Sequence, residues 1–327
     1  MMSAYEKLVE RFYIAQREIG SLEGKKVLVS LSGGADSSVL LHFLHSLGVQ
    51  VTALHVNHML RDTADRDEDF CKGLAAALNV PFYAHRVDVP ALAADKKRGF
   101  EETARAVRYD AIAQVMDEQN LDLCATGHTA NDNLETLIFN LARGSGSSGM
   151  AGIHPRRGNI IRPLIYATRD EILTYCAEEN IPYTHDETND SDDYTRNYIR
   201  HNIVPHLEKL NPNVAEAAAR LSFAVREDSA TLETLAAALI ESNGSISMEK
   251  LRQSEKALAA RAFKLAHRAA LARFSTDGQL EAQHIEKMWK VVESQLARTQ
   301  ISLPGKIRAV VEGGVMVFVY DERKKDS

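Results

Sequence analysis

Cysteine is scarce in this 327-residue chain, and the three present, Cys71, Cys124 and Cys176, lie far apart. No CxxC pair exists to hold zinc, an iron-sulfur cluster or a redox disulfide, so the cytosol is the expected compartment. Long apolar runs are missing too, none approaching the roughly 18 residues of a membrane span. The N-terminus, MMSAYEKLVERFYIAQREIG, is amphipathic and charged where a signal peptide is apolar, which predicts a soluble, unexported protein. Internal repeats and low-complexity tracts are absent as well. What is there is ordinary globular material: 45% hydrophobic and 26% charged residues exclude wholesale disorder, collagen-like repeats and fibrous coiled coils. The length favours two or more domains over one. The formal net charge of −6 argues against nonspecific nucleic-acid binding, yet it hides an asymmetry. Residues 1–210 carry 22 Lys and Arg against 30 Asp and Glu, whereas residues 211–327 carry 17 against 15.

From Lys26 short apolar β-rich runs alternate with amphipathic helical stretches, the signature of βαβ units and a parallel sheet. Strands are predicted at Lys26–Leu31, Val49–His55, Pro81–Val87 and Leu121–Ala125. Helical spacing recurs at Ser37–Leu47, Thr63–Leu78 and Glu101–Glu118, and another helix begins near Asn131. The expected fold is therefore a doubly wound, mainly parallel α/β domain over residues 1–210. Pro205 and the Asn211-Pro212-Asn213 triplet break helical propagation there. Residues 211–327 read as a smaller, mainly helical domain, with a break at Asn243-Gly244 and a C-terminal β-hairpin between Ile301 and Tyr320 around Gly313-Gly314.

Immediately after the first strand stands Ser32-Gly33-Gly34-Ala35-Asp36-Ser37, and a helix starts at once. A glycine-rich turn at a helix start aims several backbone N–H groups and a positive helix end at one point, which makes an anion cradle. Ser32 and Ser37 add hydroxyls, and Asp36 is useful beside phosphates only with a cation between them, so the loop implies magnesium. The plainer reading is a tight turn with Asp36 as N-cap. The spacing and lysine of a Walker loop are missing, so P-loop phosphoryl transfer is not indicated. A formal GxGxxG occurs at Gly144–Gly149, but it follows a helical pattern rather than a strand, so it predicts a loop and no nicotinamide or flavin chemistry.

At SGGADS the chain resembles the ATP pyrophosphatase superfamily, whose members cleave ATP between the α and β phosphates to adenylate a substrate. Later segments look, in order and spacing, like those of the tRNA(Ile)-lysidine synthetases, in their short form. These are HVNHMLR at His55–Arg61, ETARAVRY at Glu102–Tyr109, GHTANDNLET at Gly127–Thr136, RPL at Arg162–Leu164, DETN at Asp186–Asn189 and RNYIR at Arg196–Arg200. The likeness covers residues 32–200, about half of the chain. Asn131, Thr129 and Thr188 depart from the residues frequent there, and the first shifts any metal role onto Asp132. The resemblance implies a ligase that modifies the wobble cytidine of an isoleucine tRNA with a CAU anticodon. ATP adenylates its C2 oxygen, and the ε-amine of free L-lysine displaces AMP to give lysidine. ATP and magnesium are the implied cofactors. Both steps have a chemical reason: the amide-like C2 carbonyl is a poor electrophile until its oxygen carries phosphate. A lysine amine of ordinary pKa, roughly 10.4, is almost wholly protonated at pH 7.

Residue roles follow, each beside a plainer one. Ser32, Gly33, Gly34, Ala35, Asp36 and Ser37 with Gly127 and His128 are expected to bind the nucleotide. Asp36 and Asp132 are the expected magnesium pair. Asp132 and Glu135, three apart beside His128, could share a metal or accept the lysine proton, or simply favour the helix dipole. Arg105 is assigned to ATP from its motif position and could otherwise pair with Glu101 or Glu102. His55 and His58 form an HxxH that reads as packing rather than zinc. Arg143, Arg162, Arg169, Arg196 and Arg200 suit the phosphates of a polyanion, or balance Asp186, Asp190, Asp192 and Asp193 internally. Asp186 is a weaker candidate, or a turn residue. In the second domain, Lys250 to Arg273 carries seven cations, Arg261, Lys264 and Arg268 among them, against Glu255 alone. Leu251, Leu258, Ala262, Leu265 and Ala269 form the opposite face, so the basic face should meet solvent and RNA backbone.

Two other readings stay open. A tRNA thiolase would share the adenylation, but no cysteine grouping carries sulfur, and Cys124 alone lies near the site. A nonenzymatic adenine-nucleotide sensor would share the cradle but needs no array for developing charge. The sequence also leaves a homodimer open.

Overall fold

The computed structural model of the protein describes residues 2–59, 64–96, 99–184, 195–294, 296 and 298–322. These divide into two compact units, residues 1–225 and 226–327. The first opens with α1 (Ala4–Ile19), β1 (Lys26–Ser30), α2 (Ala35–Ser46), β2 (Gln50–Asn57) and α3 (Ala64–Ala77). It continues through β3 (Phe82–Arg86), α4 (Val89–Lys96), α5 (Phe100–Glu118), β4 (Leu123–Ala125), α6 (Ala130–Ala142) and α7 (Ser147–Met150). After β5 (Arg156–Arg157) and β6 (Ile160–Ile161) come α8 (Arg169–Glu178), α9 (Thr195–Tyr198), a π-helical turn at Ile199–Ile203 and α10 (Val204–Leu210). The long α11 (Val214–Ala237) runs through the division between the units.

Six strands make one sheet in the order β3-β2-β1-β4-β6-β5, parallel except for β5. β1 explains itself from sequence: Val27, Leu28 and Val29 are fully buried, as in a central strand covered on both faces. Its alternation divides the core. Val27 and Val29 join residues of α1, α2, α3 and α8, such as Phe12, Phe43 and Tyr175. Leu28 joins Ile112 and Val115 of α5 on the other face. The doubly wound domain is thus as the periodicity predicts, with the ends of β1–β4, α2, α3 and α5 within two residues of expectation.

In the second unit β7 (Ile246–Ser247), α12 (Met248–Gln253), α13 (Lys256–Phe274) and α14 (Ala282–Ser294) precede β8 (Thr299–Leu303), β9 (Ile307–Glu312) and β10 (Val315–Tyr320). The β9–β10 hairpin turns at Gly313-Gly314 as expected, and it is enlarged to a four-stranded antiparallel sheet, β7-β10-β9-β8. Phe263, Met288, Ile307 and Met316 are fully buried in the core that joins its helices and sheet.

Several expectations need correction. Pro205 does not stop a helix: it lies in the first turn of α10, where the missing N–H costs nothing. The triplet Asn211–Asn213 separates α10 from α11 and lies inside the first unit. The basic segment Lys250–Arg273 is two helices rather than one, broken at Ser254-Glu255. Ala269 is exposed, and the buried stripe of α13 is Ala259, Ala262, Phe263, Ala266 and Ala270. Phe263 sets that stripe, because its ring needs the core more than any alanine methyl does.

Candidate active site

Strand order reverses between β1 and β4, so the loops leaving their C-terminal ends flank the crevice where open α/β sheets bind ligands. The first of these loops is Ser32–Ser37. Gly33 has φ +90°, and a Cβ there would lie 2.9 Å from Thr184 Oγ1, so only glycine fits. The loop is stapled from within. Ser37 Oγ donates to the Gly34 carbonyl at 3.1 Å and accepts the Ser32 N–H at 3.1 Å, while Ser38 Oγ donates to the Gly33 carbonyl. Ser37 therefore shapes the cradle, its one proton already spent. From outside, the Thr184 N–H donates to the Gly33 carbonyl at 2.8 Å. Among the described residues, nothing accepts the amides of Gly33, Gly34, Ala35, Asp36 or Ser37. Five such donors at one helix start can serve as an anion cradle. The N-cap of α2 is Gly34, and Asp36 stands in the first turn rather than at the cap.

The second loop leaves β4 at Gly127. A Cβ on Gly127 would come within 3.0 Å of the Asp36 carbonyl carbon and 3.1 Å of Ser37 N, so the absent side chain lets the two loops touch. His128 shares a 2.9 Å hydrogen bond between Nδ1 and Thr126 Oγ1. Burial, reinforced by Arg162, Arg196 and Arg108 against Asp132, pushes its pKa down to about 4, so the ring is neutral at pH 7. Thr129 caps α6: Asp132 N lies 3.5 Å from Thr129 Oγ1, and Asp132 Oδ2 accepts the Thr129 N–H at 2.8 Å. Asp132 thus fills the plain helix-end role and still presents Oδ1, 3.4 Å from Arg196 and 3.7 Å from Arg200.

Glu135 is 3% exposed and held on both sides. Arg196 Nε donates to Oε2 at 2.8 Å and Arg200 Nε to Oε1 at 2.6 Å. The four-residue spacing of these arginines does give them one face. It turns inward onto Glu135 and Asp132, so neither stands as a free cation for RNA phosphate. The acidic stretch offered as their internal balance, Asp186 included, lies outside the described residues.

Asp36 is the most perturbed carboxyl of the group. Burial pushes its pKa up to about 6, Asp132 and Glu135 adding to the effect and Arg169 and Arg200 opposing it. Arg169, the first residue of α8, reaches it with Nη1 at 3.2 and 3.4 Å from the two oxygens. The backbone N–H of Arg169 is fixed by Asn131 Oδ1 at 2.8 Å, which gives the departure at Asn131 a task of its own.

Arg105 lies over the Tyr109 ring, 5.1 Å from its centroid, and donates to its hydroxyl at 3.3 Å rather than to Glu102. Arg162 is 6% exposed, donates to the His154 carbonyl at 2.6 Å, and feels the charge of Arg105 and the hydroxyl of Tyr109. Burial, with Arg105 and Arg157 and against Tyr109, lowers its pKa, and its Nε has no partner among the described residues. Arg143 stands apart: it stacks on Phe139 at the far end of α6, about 16 Å along the axis from Asp132 at 1.5 Å per residue. The Gly144–Gly149 segment follows α6 and enters the one-turn α7, not a dinucleotide turn. His55 Nδ1–H donates to the Leu31 carbonyl at 2.9 Å, a contact with the backbone rather than with a metal or a carboxylate.

In the second unit, Lys250 and Lys256 are neutralised by Glu241 and Glu286 at 2.7 Å each. Arg261, Lys264 and Arg268 fall on one face of α13, and among the described residues Arg261 donates only to the Ala257 carbonyl of its own helix.

Sequence reasoning missed three contacts: Thr184 on Gly33, Asn131 on Arg169, and Tyr109 under Arg105. The first two join residues far apart in the chain and carry no local signal, whereas Arg105 and Tyr109 stand at the i, i+4 spacing that could have revealed them.

The donor set suits magnesium. Asp36 and Asp132 supply hard carboxylate oxygens within electrostatic reach of each other, and that ion takes one or two carboxylates and fills its shell with water and phosphate. Among the described residues no group of three His, Cys, Asp or Glu side chains forms a self-sufficient metal site, so phosphate would have to complete this one.

Among proteins of known kind, the "Bifunctional protein TilS/HprT" of Listeria innocua serovar 6a is 34% identical over 314 residues, 91% of this chain and 48% of its own length. A "tRNA(Ile)-lysidine synthase" of Pseudothermotoga lettingae is 43% identical over 204 residues, 61% of this chain and 46% of its own. The chain thus spans about half the length of these curated relatives. Among solved structures, the U34-tRNA thiolase NcsA from Methanococcus maripaludis with its [4Fe-4S] cluster shares the fold, with a TM-score of 0.56 at 20% identity over 68% of this chain and 80% of that one. The profile of the PP-loop domain matches residues 4–207, from α1 into α10 and across the whole crevice. On that match, which takes in more than half of its residues, the chain belongs to the PP-loop domain family.

Proposed function

We propose that this protein ligates L-lysine to C2 of the wobble cytidine of an isoleucine tRNA with a CAU anticodon, using ATP and forming lysidine through an adenylated tRNA. The observation that carries this is the cradle of five amides without an acceptor among the described residues at the β1/β4 crevice, beside the half-buried carboxyl of Asp36. The likeness to tRNA(Ile)-lysidine synthases supports the choice of substrate.

The chain's own residues divide the work. The amides of residues 33–37 receive the phosphate oxygens. Asp36 and Asp132 would hold a magnesium ion, which would supply positive charge to offset that of the phosphates. In the first step the cytidine C2 oxygen attacks the α-phosphorus and pyrophosphate leaves; in the second the lysine nitrogen attacks C2 and AMP leaves. Arg105 and Arg162 meet the charge that grows on the phosphates. The neutral His128 donates or accepts a hydrogen bond without carrying charge. Arg261, Lys264 and Arg268 of α13 hold RNA phosphates. Sulfur transfer is disfavoured by the thiols: burial pushes Cys71 and Cys124 up to about 12 and Cys176 to about 11, far from a reactive thiolate.

The test mixes protein, ATP, magnesium, labelled lysine and unmodified isoleucine tRNA, and follows label in tRNA with AMP and pyrophosphate. Incorporation that spares methionine tRNA and is lost in Asp36→Ala is expected. AMP without incorporation would redirect the second step to another nucleophile, and no AMP would leave a nucleotide-binding fold alone.

A further inference from the structure

Two arginine–carboxylate arrangements share the crevice, and they are built differently. Glu135 is gripped at 2.6 and 2.8 Å by Arg200 and Arg196 and is 3% exposed. Among the described residues, Asp36 is touched by Arg169 alone, by one nitrogen, at 3.2 and 3.4 Å. The Asp36 and Arg169 side chains keep 27% and 50% of their surface in solvent. Charge-assisted hydrogen bonds that hold a geometry are about 2.7–2.9 Å long, and loose exposed pairs are worth little. The backbone of Arg169 is nevertheless fixed, by Asn131 on its N–H and by the Thr168–Glu171 capping box at the start of α8. Arg169 is therefore a long side chain on a rigid base, resting by its tip on both oxygens of the carboxylate assigned to magnesium.

We propose that Arg169 is a placeholder cation: it occupies Asp36 in the nucleotide-free protein, yields those oxygens to magnesium arriving with ATP, and passes its own charge to the phosphate chain. This rests on the nucleotide reading above. The guanidinium and a metal ion compete for the same two oxygens, so one must leave when the other binds. The phosphates delivered by the same event are the nearest new anion for a guanidinium whose anchor does not move. Arg169 is thereby a positioning residue for the metal and a binding residue for the nucleotide, rather than a contact for RNA.

The two roles pull in opposite directions when the charge is removed, which makes the test sharp. ATP binding is measured by calorimetry, without RNA or lysine, across a magnesium titration, for wild type, Arg169→Gln, Arg169→Met and Arg169→Lys. The half-saturating magnesium concentration should fall about two- to fivefold in Arg169→Gln and Arg169→Met, the span of a partly exposed ion pair. At saturating magnesium the same variants should bind ATP about fivefold more weakly. Arg169→Lys should stay within about twofold of wild type in both. Thermal unfolding without ligand checks that each variant is folded. An unchanged or raised magnesium requirement in both neutral variants overturns the inference, as does disagreement between them. Wild type that binds no ATP at any magnesium concentration overturns the nucleotide reading itself, a separate result.

Discussion

The start of α6 and the outer face of α13 are both rich in charge, and they use it in opposite ways. At α6, Asp132 and Glu135 are turned inward and matched by Arg196 and Arg200 at contact distance. On α13, Arg261, Lys264 and Arg268 have no carboxylate partner among the described residues. Paired buried charge fixes geometry, because each group left alone would bear its full desolvation cost. Unpaired exposed charge fixes little and projects a field, screened within about 8 Å at physiological salt. The same residue types therefore build a site in one unit and a surface in the other.

The largest expected effect breaks the buried half. Glu135→Ala removes the closer acceptor of two arginines, leaving them Asp132 at 3.4 and 3.7 Å, and should destabilise the first unit by about 3 kcal/mol in urea unfolding, whereas Glu135→Gln, which keeps an acceptor, should cost about 1 kcal/mol. Asp36 tests the opposite sign. Its carboxyl binds a proton more tightly folded than unfolded, so its charged form opposes folding: the penalty is absent below about pH 4 and complete above pH 6. Asp36→Asn should therefore raise stability at pH 8 by up to about 3 kcal/mol, with the gain gone at pH 4, while lysine incorporation is lost. Thermal unfolding at both pH values, beside the ligation assay, checks both parts. Reversing Arg261, Lys264 and Arg268 to glutamate should leave stability within about 0.5 kcal/mol. It should weaken tRNA binding more than tenfold at low salt and flatten the slope of log K against log salt, with ATP binding unchanged. Smallest of all, Lys256→Ala removes an exposed pair with Glu286, and neither unfolding nor RNA binding should change measurably.

Much of the fold was legible because it is written in periodicity. Val27–Val29 and the apolar spacing of α2, α3 and α5 announce a covered parallel sheet, and SGGADS announces the cradle from composition and order alone. The two-helix form of the basic segment was not legible, since the break at Ser254-Glu255 uses residues that also occur within helices. Within the site, residue types were readable but their pairing was not. Arg196 and Arg200 could be seen to share a face, yet whether that face looks at Glu135 or at solvent depends on how α9 and the π-helical turn pack against α6, a long-range fact. Thr184 and Asn131 act through one backbone hydrogen bond each, and nothing in a residue's identity marks such a contact.

The five amides of residues 33–37 also make the protein its own reporter. An amide with no acceptor, as these are among the described residues, is protected only by limited solvent access, so these five should label earlier than the β1 amides, which are held in the sheet, the half-buried Gly34 and Asp36 first. Phosphate oxygens seated in the cradle would slow all five together. Isotope uptake over one short peptide would then read nucleotide occupancy without any RNA, lysine or turnover.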